Sequence, residues 1–556
     1  MNRWDYKKRS IHMKLEFLEY PELGRSMYVL YPAGDRLSCY ENTLITILRE
    51  DASDTLPKSL LADADFSTLA DGQRFILLFP NPIGGSWNWE LDPDKRDDLN
   101  DVAELVRLFN HQEGFVDCGI YHNMHNARYF IGSGTGGSLL HALAATNPVN
   151  VAGVYTLGGK LAPRAKAQSA GAAVSAILRN ADDESRELFV ALNQAEQKGN
   201  SLFVNPVNDA AFVLNEYSES NEIAAAVIRS GWERLFSKVC RPNCSELGDM
   251  GSRTVRDDYR FIVHENDTRL GDNNGVAHTW FEYVPTCVKE NPGKPVPLML
   301  FSHGGADTPG NIANTIKMHE IAEKEGFLLV YPWATARWGW NQDMVPEQPD
   351  DVAYLFALIA YMKGAYAVDD TRVYIGGFSN GSAMSQVFAM TNPEIIAAVI
   401  ADNTRFCQNR NTKPFAIAGC KKLQYDYRMP VYYTYGTRDI EYPAVRGSGQ
   451  QVQYDFWKSY NNITCKETPY VADTDSSGVG VTGDVVETYY PNPRYPVRKY
   501  TTHRFFSNDP VPLNLYNYSL ADGKGHDCNP EEAWLGWNYV KQFRRMADGS
   551  LWIEHA

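Results

Sequence analysis

The chain has 556 residues, 44% of them hydrophobic and 12% aromatic, with 53 Lys and Arg against 68 Asp and Glu. At roughly 100–200 residues per domain, this length predicts two or three domains that each bury a core, and the ordinary mixture of apolar and charged residues excludes global disorder. The net charge of −15 opposes phosphate backbones and anionic lipids, so neither a nucleic acid nor a membrane is expected as a partner. No apolar run approaches the ~20 residues of a membrane span.

The N-terminus and the cysteines do not identify the cellular compartment of the protein. Basic residues occur within the first nine positions, but no apolar stretch follows them, so no secretory signal peptide is predicted. Cys240 and Cys244 have nearly the spacing of a zinc-binding pair, yet no second Cys or His pair follows at the distance of a zinc finger. We therefore predict no metal site, while the disulfides and the localisation stay open.

An internal repeat organises the whole chain. Several segments recur in the same order at an offset of about 250 residues, which is the size of a domain. The matched segments are 75–80 and 327–332, Trp87 with Trp89 and Trp338 with Trp340, Asp101 and Asp351, 129–136 and 374–381, and 146–148 and 391–393. The repeat predicts two copies of one domain at 1–236 and 255–556, joined by a polar linker at 237–254.

Each copy alternates short apolar strands with helical stretches. In the second copy we predict, in chain order, a strand at 297–302, a helix at 312–324, a strand at 327–331, a helix at 350–363, a strand at 372–376, a helix at 383–390, strands at 430–435 and 513–520, and a last helix at 530–545. Continuous apolar strands separated by helices are typical of a parallel sheet that is covered on both faces. The predicted fold class is therefore α/β, with two tandem, mostly parallel, doubly wound sheets.

A glycine-rich segment of the second copy has the setting of a nucleophile elbow. The segment 377–381, which reads G-F-S-N-G around Ser379, directly follows an apolar strand and directly precedes a helix. This turn needs small residues two before and two after the serine, because it holds the hydroxyl above the edge of the sheet. The five-residue pattern alone is weak, but the flanking strand and helix make it specific. We predict Ser379 as a nucleophile; the alternative is a glycine-rich turn capped by a serine.

A serine nucleophile needs a base that takes its proton and an acid that orients the base. His526 precedes the last predicted helix, whereas His503 lies inside a β-rich stretch and His555 is the penultimate residue. Asp439 follows the predicted strand 430–435, and Asp402, which ends the preceding strand, is the alternative acid. The chain order of nucleophile, acid and base is then that of the α/β-hydrolase fold.

Acyl transfer also needs backbone N–H donors that face the oxyanion of the tetrahedral intermediate. The segment 302–305, S-H-G-G, ends a predicted strand at the place where such a loop belongs. We predict the N–H groups of Gly305 and of Asn380, the residue after the nucleophile, as the oxyanion hole. His303 precedes Ser379 in the chain, so a role in orienting this loop is favoured over a role as the base.

The order of several segments in the second copy matches that of a known family. The segments are His303-Gly304-Gly305, Tyr331-Pro332, Trp338-Gly339-Trp340, 368–375, 377–384, 436–439 and Gly525-His526. Over roughly residues 255–545 the chain resembles the poly(3-hydroxybutyrate) depolymerase-like esterases, a group of α/β-hydrolases that also includes feruloyl and acetylxylan esterases. Two places differ, since Gly305 stands where the depolymerases often have cysteine and the elbow reads S-N-G-S. The resemblance implies hydrolysis of hydroxybutyryl, acetyl or feruloyl esters.

The first copy lacks these residues. Gly134 stands at the nucleophile position, Ser133 is one residue off, and no histidine occurs between His141 and His264. We therefore predict a degenerate hydrolase-like domain without a triad. The segment 132–137 also matches the dinucleotide fingerprint G-x-G-x-x-G, but no acidic residue stands about 20 residues later, so nucleotide binding is not expected.

Together these residues predict a serine esterase that works through an acyl-enzyme and uses no metal or organic cofactor. The expected partner is an ester substrate, polymeric esters included, and the resemblance favours feruloyl, acetyl or other short-acyl esters of a plant polysaccharide. The alternatives are a polyester depolymerase and, in another class, a non-catalytic carbohydrate- or partner-binding protein. His303, Trp338 and Trp340 are candidate substrate-binding residues, although the repetition of the tryptophans in the first copy favours a core role. The oligomeric state stays open.

Overall fold

The computed structural model describes residues 13–34, 38–111, 123–243, 245–256, 260–270, 276–336, 339–404, 427–439, 449–464, 482–491 and 499–554. The chain divides into two compact units between residues 259 and 260. Among the described residues, each unit contains one ten-stranded sheet and one two-stranded pair. The tandem α/β organisation predicted from the repeat is confirmed.

The first unit is built on strands β1 to β10, with β11 and β12 as the separate pair. The strands are β1 (Lys14–Tyr20), β2 (Arg25–Tyr31), β3 (Asn42–Leu48), β4 (Phe75–Pro80), β5 (Asn123–Ser133), β6 (Gly153–Leu157), β7 (Ser175–Arg179), β8 (Glu196–Gln197), β9 (Leu202–Val204), β10 (Phe212–Glu216), β11 (Val239–Cys240) and β12 (Gly251–Ser252). Their order in the sheet is β1-β2-β4-β3-β5-β6-β7-β10-β9-β8. The six central strands from β4 to β10 are parallel, and antiparallel strands flank them.

Helices connect these strands and cover the sheet. They are α1 (Thr55–Ala62), α2 (Ala64–Gly72), α3 (Asp98–His111), α4 (Thr135–Thr146), α5 (Pro163–Ala167), α6 (Asp183–Leu192) and α7 (Ala225–Gly231), followed by a π-helical turn at Trp232–Phe236. Every residue of β3 and β4 is buried. Two apolar clusters, one on each face of the sheet, form the core of this unit.

The second unit repeats the same plan. Its strands are β13 (Ile262–Asp267), β14 (His278–Tyr283), β15 (Val296–Ser302), β16 (Leu328–Pro332), β17 (Val368–Phe378), β18 (Ala398–Asp402), β19 (Val431–Gly436), β20 (Val485–Tyr489), β21 (Tyr500–Phe506), β22 (Asn514–Ala521), β23 (Phe543–Arg545) and β24 (Leu551–Ile553). The sheet order is β13-β14-β16-β15-β17-β18-β19-β22-β21-β20, which is the order of the first unit strand for strand. The central strands from β16 to β22 are again parallel.

The helices of the second unit are α8 (Thr286–Glu290), α9 (Pro309–Ile316), α10 (Met318–Glu325), α11 (Asp351–Ala365), α12 (Asn380–Thr391), α13 (Gly449–Tyr460) and α14 (Pro530–Val540). Two predicted helices differ in extent. The helix predicted at 312–324 is broken at Lys317, whose φ of 49° lies in the left-handed region and ends α9. The helix predicted at 530–545 ends at Val540, because Phe543 to Arg545 pair with β24 instead.

Side-chain contacts correct the register of the sequence repeat. The indole Nε1 of Trp87 donates to the carbonyl of Arg49 at 2.9 Å, and that of Trp340 donates to the carbonyl of His303 at 2.9 Å. The structure therefore pairs Trp87 with Trp340, whereas the sequence alignment paired it with Trp338. Short strings that hold two tryptophans align equally well in either register, and only the contacts distinguish them.

The same correction applies to the helix that follows. The backbone N–H of Asn88 donates to Asp98, and that of Asn341 donates to Asp351. Asp98 is thus the counterpart of Asp351, whereas the sequence repeat matched Asp101 to it. The internal repeat is kept, and the offset between these matched residues of the two copies changes by a few positions.

The stretch 237–254, where the sequence predicted a linker, is packed against the first sheet. Arg241 is buried and donates to the carbonyls of Val151 and Gly248. Arg545 makes the same contacts in the second unit, with the carbonyls of Ile396 and Gly549. The β11–β12 pair therefore corresponds to the β23–β24 pair at the end of the second copy.

No helix in the described ranges is both long enough and apolar enough to cross a membrane. Within the same ranges, no group of three or more His, Cys, Asp or Glu side chains is arranged to hold a metal ion. Cys240 is buried with its thiol against the carbonyls of Gly251 and Ser252, and Cys244 lies outside the described residues.

Candidate active site

The turn between β17 and α12 holds Ser379 in a strained conformation. Its φ of 51° and ψ of −123° lie where side-chain-bearing residues are uncommon, as a nucleophile elbow requires. The glycines on either side are needed for close packing. A Cβ on Gly381 would lie 2.2 Å from the carbonyl oxygen of His303, and one on Gly377 would lie 2.5 Å from the backbone of Gly381.

Ser379, His526 and Asp439 come together at the carboxyl ends of the central strands. His526 Nε2 lies 2.9 Å from Ser379 Oγ, and His526 Nδ1 lies 3.0 and 2.9 Å from the two carboxylate oxygens of Asp439. The carboxylate can only accept, so Nδ1 carries the proton and Nε2 presents its lone pair to the serine hydroxyl. The Asp439 side chain is 1% exposed and that of His526 is 37% exposed. This arrangement can take a proton from the serine as it attacks.

Backbone hydrogen bonds tie the acid turn to the histidine loop. The N–H groups of Thr437 and Arg438 donate to the carbonyls of Ala521 at 3.1 Å and Lys524 at 2.9 Å. Gly523 N–H returns a bond to Thr437 Oγ1 at 2.8 Å. These contacts bring Asp439 and His526 together although they are 87 positions apart in the chain.

The alternative acid and bases weighed from the sequence lie elsewhere. Asp402 at the end of β18 is fully buried, and its backbone carbonyl accepts the Ser379 N–H at 2.9 Å. Its side chain interacts electrostatically with Glu532 and Lys524. The hydrogen-bond partner of His526 is Asp439 and not Asp402. His503 is buried on β21 with Nδ1 accepting a backbone N–H, and His555 lies outside the described residues.

A buried charged cluster under the histidine loop escaped the sequence analysis. Lys524 and Glu532 form an ion pair with both side chains 0% exposed. Burial raises the pKa of Asp402 well above its usual range. The only signal in the sequence was a lysine between two glycines beside His526, which does not distinguish a buried lysine from an exposed one.

The predicted oxyanion hole lies between two loops that contact each other. A Cβ on Gly304 would lie 3.4 Å from Ser379 Cβ, so the loop after β15 runs directly beside the nucleophile. Asn380 begins α12, and its side-chain Oδ1 accepts the backbone N–H of Trp340. Gly305, the next residue of the loop, is half-buried, and the backbone N–H of Asn380 is the first of α12.

His303 is buried and holds the same loop from below. Its Nε2 accepts the backbone N–H of Ala334 at 3.0 Å, which leaves the ring proton on Nδ1, and Nδ1 donates to the carbonyl of Gly304 at 2.7 Å. Burial lowers the pKa of His303 to about 4, so the ring is neutral at neutral pH. These contacts are those of a positioning residue and not of a group that touches a ligand.

The neutral state of His303 makes a prediction about stability. A histidine with a pKa of about 6.5 when unfolded and about 4 when folded must gain a proton on unfolding in acid. Its contribution is complete above pH ~6.5 and falls by about 3 kcal/mol as the pH drops to ~4. In His303→Gln that loss is absent, so the difference in unfolding free energy between wild type and variant should shrink over this range. Denaturant unfolding at pH 7.5 and 4.5 measures it.

Arg49 occupies the corresponding position in the first unit and supplies the matched control. An arginine does not titrate between pH 4 and 8, so the difference between wild type and Arg49→Gln should stay constant with pH. A constant difference for His303→Gln as well would contradict the buried neutral imidazole.

Of the two tryptophans predicted to bind substrate, the structure describes only Trp340. Trp338 lies outside the described residues. Trp340 is only 4% exposed, and its indole N–H and backbone N–H are both used to hold neighbouring loops. A core role, inherited by both copies, is what these contacts favour. Phe378, which the sequence analysis did not select, packs against the His526 ring at a centroid distance of 5.0 Å.

The first copy retains the shape of the elbow without its chemistry. Gly134 has φ 56° and ψ −125°, close to the values of Ser379. The Glu50 carboxylate accepts from Thr135 N–H at 3.0 Å and from Thr135 Oγ1 at 2.8 Å. A Cβ on Gly134 would lie 2.8 Å from this carboxylate. The exposed Glu50 side chain therefore occupies the space that the side chain of a nucleophile at position 134 would need.

The second unit is similar to an esterase family. Residues 283–410 match the model of the family described as Esterase PHB depolymerase. The match contains the oxyanion loop and the elbow, and it confirms the resemblance that the sequence segments indicated.

Several curated relatives are esterases. The chain is 26% identical over 274 residues to a bifunctional acetylxylan esterase/xylanase of Neocallimastix patriciarum, covering 48% of this chain and 34% of the relative. It is 29% identical over 123 residues to feruloyl esterase B of Neurospora crassa, covering 21% of this chain and 41% of the relative. The chain thus spans well under half the length of these relatives. Among solved structures, the acetyl xylan esterase from Aspergillus awamori is 18% identical with a TM-score of 0.36, covering 51% of this chain and 99% of that one.

Proposed function

We propose that the protein is a serine esterase that hydrolyses carboxylic esters through an acyl-enzyme. The observation that carries the proposal is the contact of His526 Nε2 with Ser379 Oγ at 2.9 Å while Nδ1 faces Asp439. We assign the catalytic domain to the second unit, which begins at residue 260. The first unit is assigned no part in the chemistry, since Gly134 and Glu50 fill its elbow.

Each residue has one role in this mechanism. Ser379 attacks the ester carbonyl while His526 takes its proton, and the N–H groups of Gly305 and Asn380 stabilise the oxyanion of the tetrahedral intermediate. His526 then gives the proton to the leaving alcohol, and an acyl-enzyme remains. Water, deprotonated by His526, releases the acid and restores Ser379. Asp439 holds the ring and stabilises its charged form throughout.

The substrate class follows from the relatives. Those named above are acetylxylan and feruloyl esterases, so we infer acetyl, feruloyl or other short-acyl esters of a plant polysaccharide as substrates. The family description favours a second candidate, the hydrolysis of a hydroxybutyrate polyester. Initial rates on acetylated xylan, methyl ferulate and a hydroxybutyrate oligomer, at equal ester concentration, separate the two. A rate on the oligomer above the other two would overturn the polysaccharide assignment.

The role of His526 predicts an acid limb in the pH profile. The general base must be neutral to accept the serine proton, so kcat/KM should fall toward acid pH. The measurement is the initial rate, as a function of pH, on a soluble ester that does not itself titrate. A kcat/KM that does not fall in acid would contradict the assignment of the base.

A further inference from the structure

A buried carboxyl group lies on the oxyanion loop and has no part in the mechanism above. Asp307 is 6% exposed and precedes α9 by two residues. Burying a carboxyl costs free energy unless hydrogen bonds compensate for the lost water. The contacts of Asp307 therefore indicate what holds it there.

Its hydrogen bonds join the two ends of the loop. Asp307 Oδ1 accepts from the Thr308 N–H at 2.7 Å and from Asn311 Nδ2 at 2.6 Å. The backbone N–H of Gly304, at the start of the loop, also donates to the carboxyl group. Asp307 thus connects Gly304, beside the nucleophile, to the first turn of α9.

This contact and that of His303 together orient Gly304. The Gly304 N–H is held by Asp307, and the Gly304 carbonyl is held by His303 Nδ1 at 2.7 Å. In a trans peptide the carbonyl of one residue and the N–H of the next point in opposite directions. Holding the Gly304 carbonyl against His303 therefore directs the Gly305 N–H away from His303. Ala306 has a φ of 54°, a left-handed value that residues with a side chain seldom adopt, so the backbone of the loop is strained at this position.

The surroundings of Asp307 favour a change of its protonation state near neutral pH. Burial and the nearby carboxylate of Asp527 raise the pKa of Asp307 to about 7. The His303 ring that faces the same loop is neutral at this pH. On α14, which packs against α9, the buried Glu532 is paired with Lys524. Below pH ~7 Asp307 gains a proton and loses capacity to accept the three N–H groups that it holds.

We propose that Asp307 is a positioning residue that, in its carboxylate form, directs the Gly305 N–H to the oxyanion of the transition state. The proposal rests on the esterase function proposed above. It concerns the rate of the chemical step and not the binding of substrate, because the oxyanion forms only after attack.

The test is the kinetics of Asp307→Asn on a soluble ester. An amide keeps one acceptor oxygen but places a donor where the second carboxylate oxygen was, so kcat should fall about 10- to 100-fold, somewhat less than the loss of a whole oxyanion donor, while KM changes less than threefold. Asp307→Glu, which keeps the charge, should recover part of kcat. Asp370→Asn makes the same chemical change at a side chain that is 79% exposed and should leave kcat unchanged. Equal kcat for Asp307→Asn and wild type would overturn the proposal.

The pH profile adds a readout that a purely structural role would not move. Protonation of Asp307 should lower kcat/KM about as much as the substitution Asp307→Asn does, so the ratio of wild-type to Asp307→Asn kcat/KM should fall toward 1 as the pH is lowered from 8 to 5. A ratio that stays constant over this range would overturn the proposal. Absence of any ester turnover in the wild type would instead reject the esterase function itself.

Discussion

Replacing Ser379 with alanine is expected to abolish labelling by a fluorophosphonate probe and to lower ester turnover by about 10⁴- to 10⁶-fold. The hydroxyl oxygen of Ser379 is the atom that His526 Nε2 faces at 2.9 Å, and no acyl-enzyme forms without it. The oxyanion donors remain in the variant, so a residual rate above that of water is expected. Gel detection of the labelled protein and stopped-time assays on a soluble ester measure the two effects.

Ser133 supplies the matched control for this experiment. It precedes Gly134, the residue that occupies the elbow of the first unit. Ser133→Ala should therefore label and turn over ester as the wild type does. Labelling of Ser379→Ala equal to that of the wild type would reject Ser379 as the nucleophile and favour a binding protein over an enzyme.

Replacing Asp439 with asparagine is expected to lower kcat by about 10⁴-fold with little change in KM. The amide nitrogen can donate to Nδ1, which favours the proton on Nε2 and removes the lone pair that faces Ser379. The side chain of Asp439 is 1% exposed, and both of its oxygens contact His526. Single-turnover kinetics should locate the loss in acylation.

Asp402→Asn is the matched control, since the sequence alone left Asp402 as the second candidate acid. Burial raises the pKa of its carboxyl well above the usual range, an amide has nearly the same size, and His526 bonds to Asp439 and not to Asp402. We expect kcat within about threefold of the wild type. A loss in Asp402→Asn as large as that in Asp439→Asn would mean that the histidine depends on both acids.

Local patterns in the sequence predicted the parts of the fold and site that depend on neighbouring residues. Continuous apolar runs with helices between them specify a parallel sheet, because each strand must be buried on both faces. The glycines at 377 and 381 specify the elbow, because no side chain fits against the carbonyl of His303 or the start of α12. Both requirements act within a few residues and are visible in one segment.

Other features depend on contacts between distant segments. The choice between Asp402 and Asp439 is made by backbone bonds from Thr437 and Arg438 to a loop more than 80 residues further along the chain. The register that pairs Trp87 with Trp340 is made by indole hydrogen bonds to the ends of β3 and β15. Neither is encoded in a spacing that can be read along one stretch.

The sequence by itself determined that one α/β domain occurs twice, that only the second copy carries a serine, aspartate and histidine in hydrolase order, and that the chain is too acidic to favour a polyanion. The tertiary structure decided which aspartate meets His526, that His303 and Trp340 are buried supports, that Glu50 fills the elbow of the first copy, and that Asp307 is buried in bonds to Thr308 and Asn311. The difference is physical. Strand and turn formation follow from local sterics and burial, whereas the protonation and direction of a polar side chain depend on partners that only folding brings within hydrogen-bond distance.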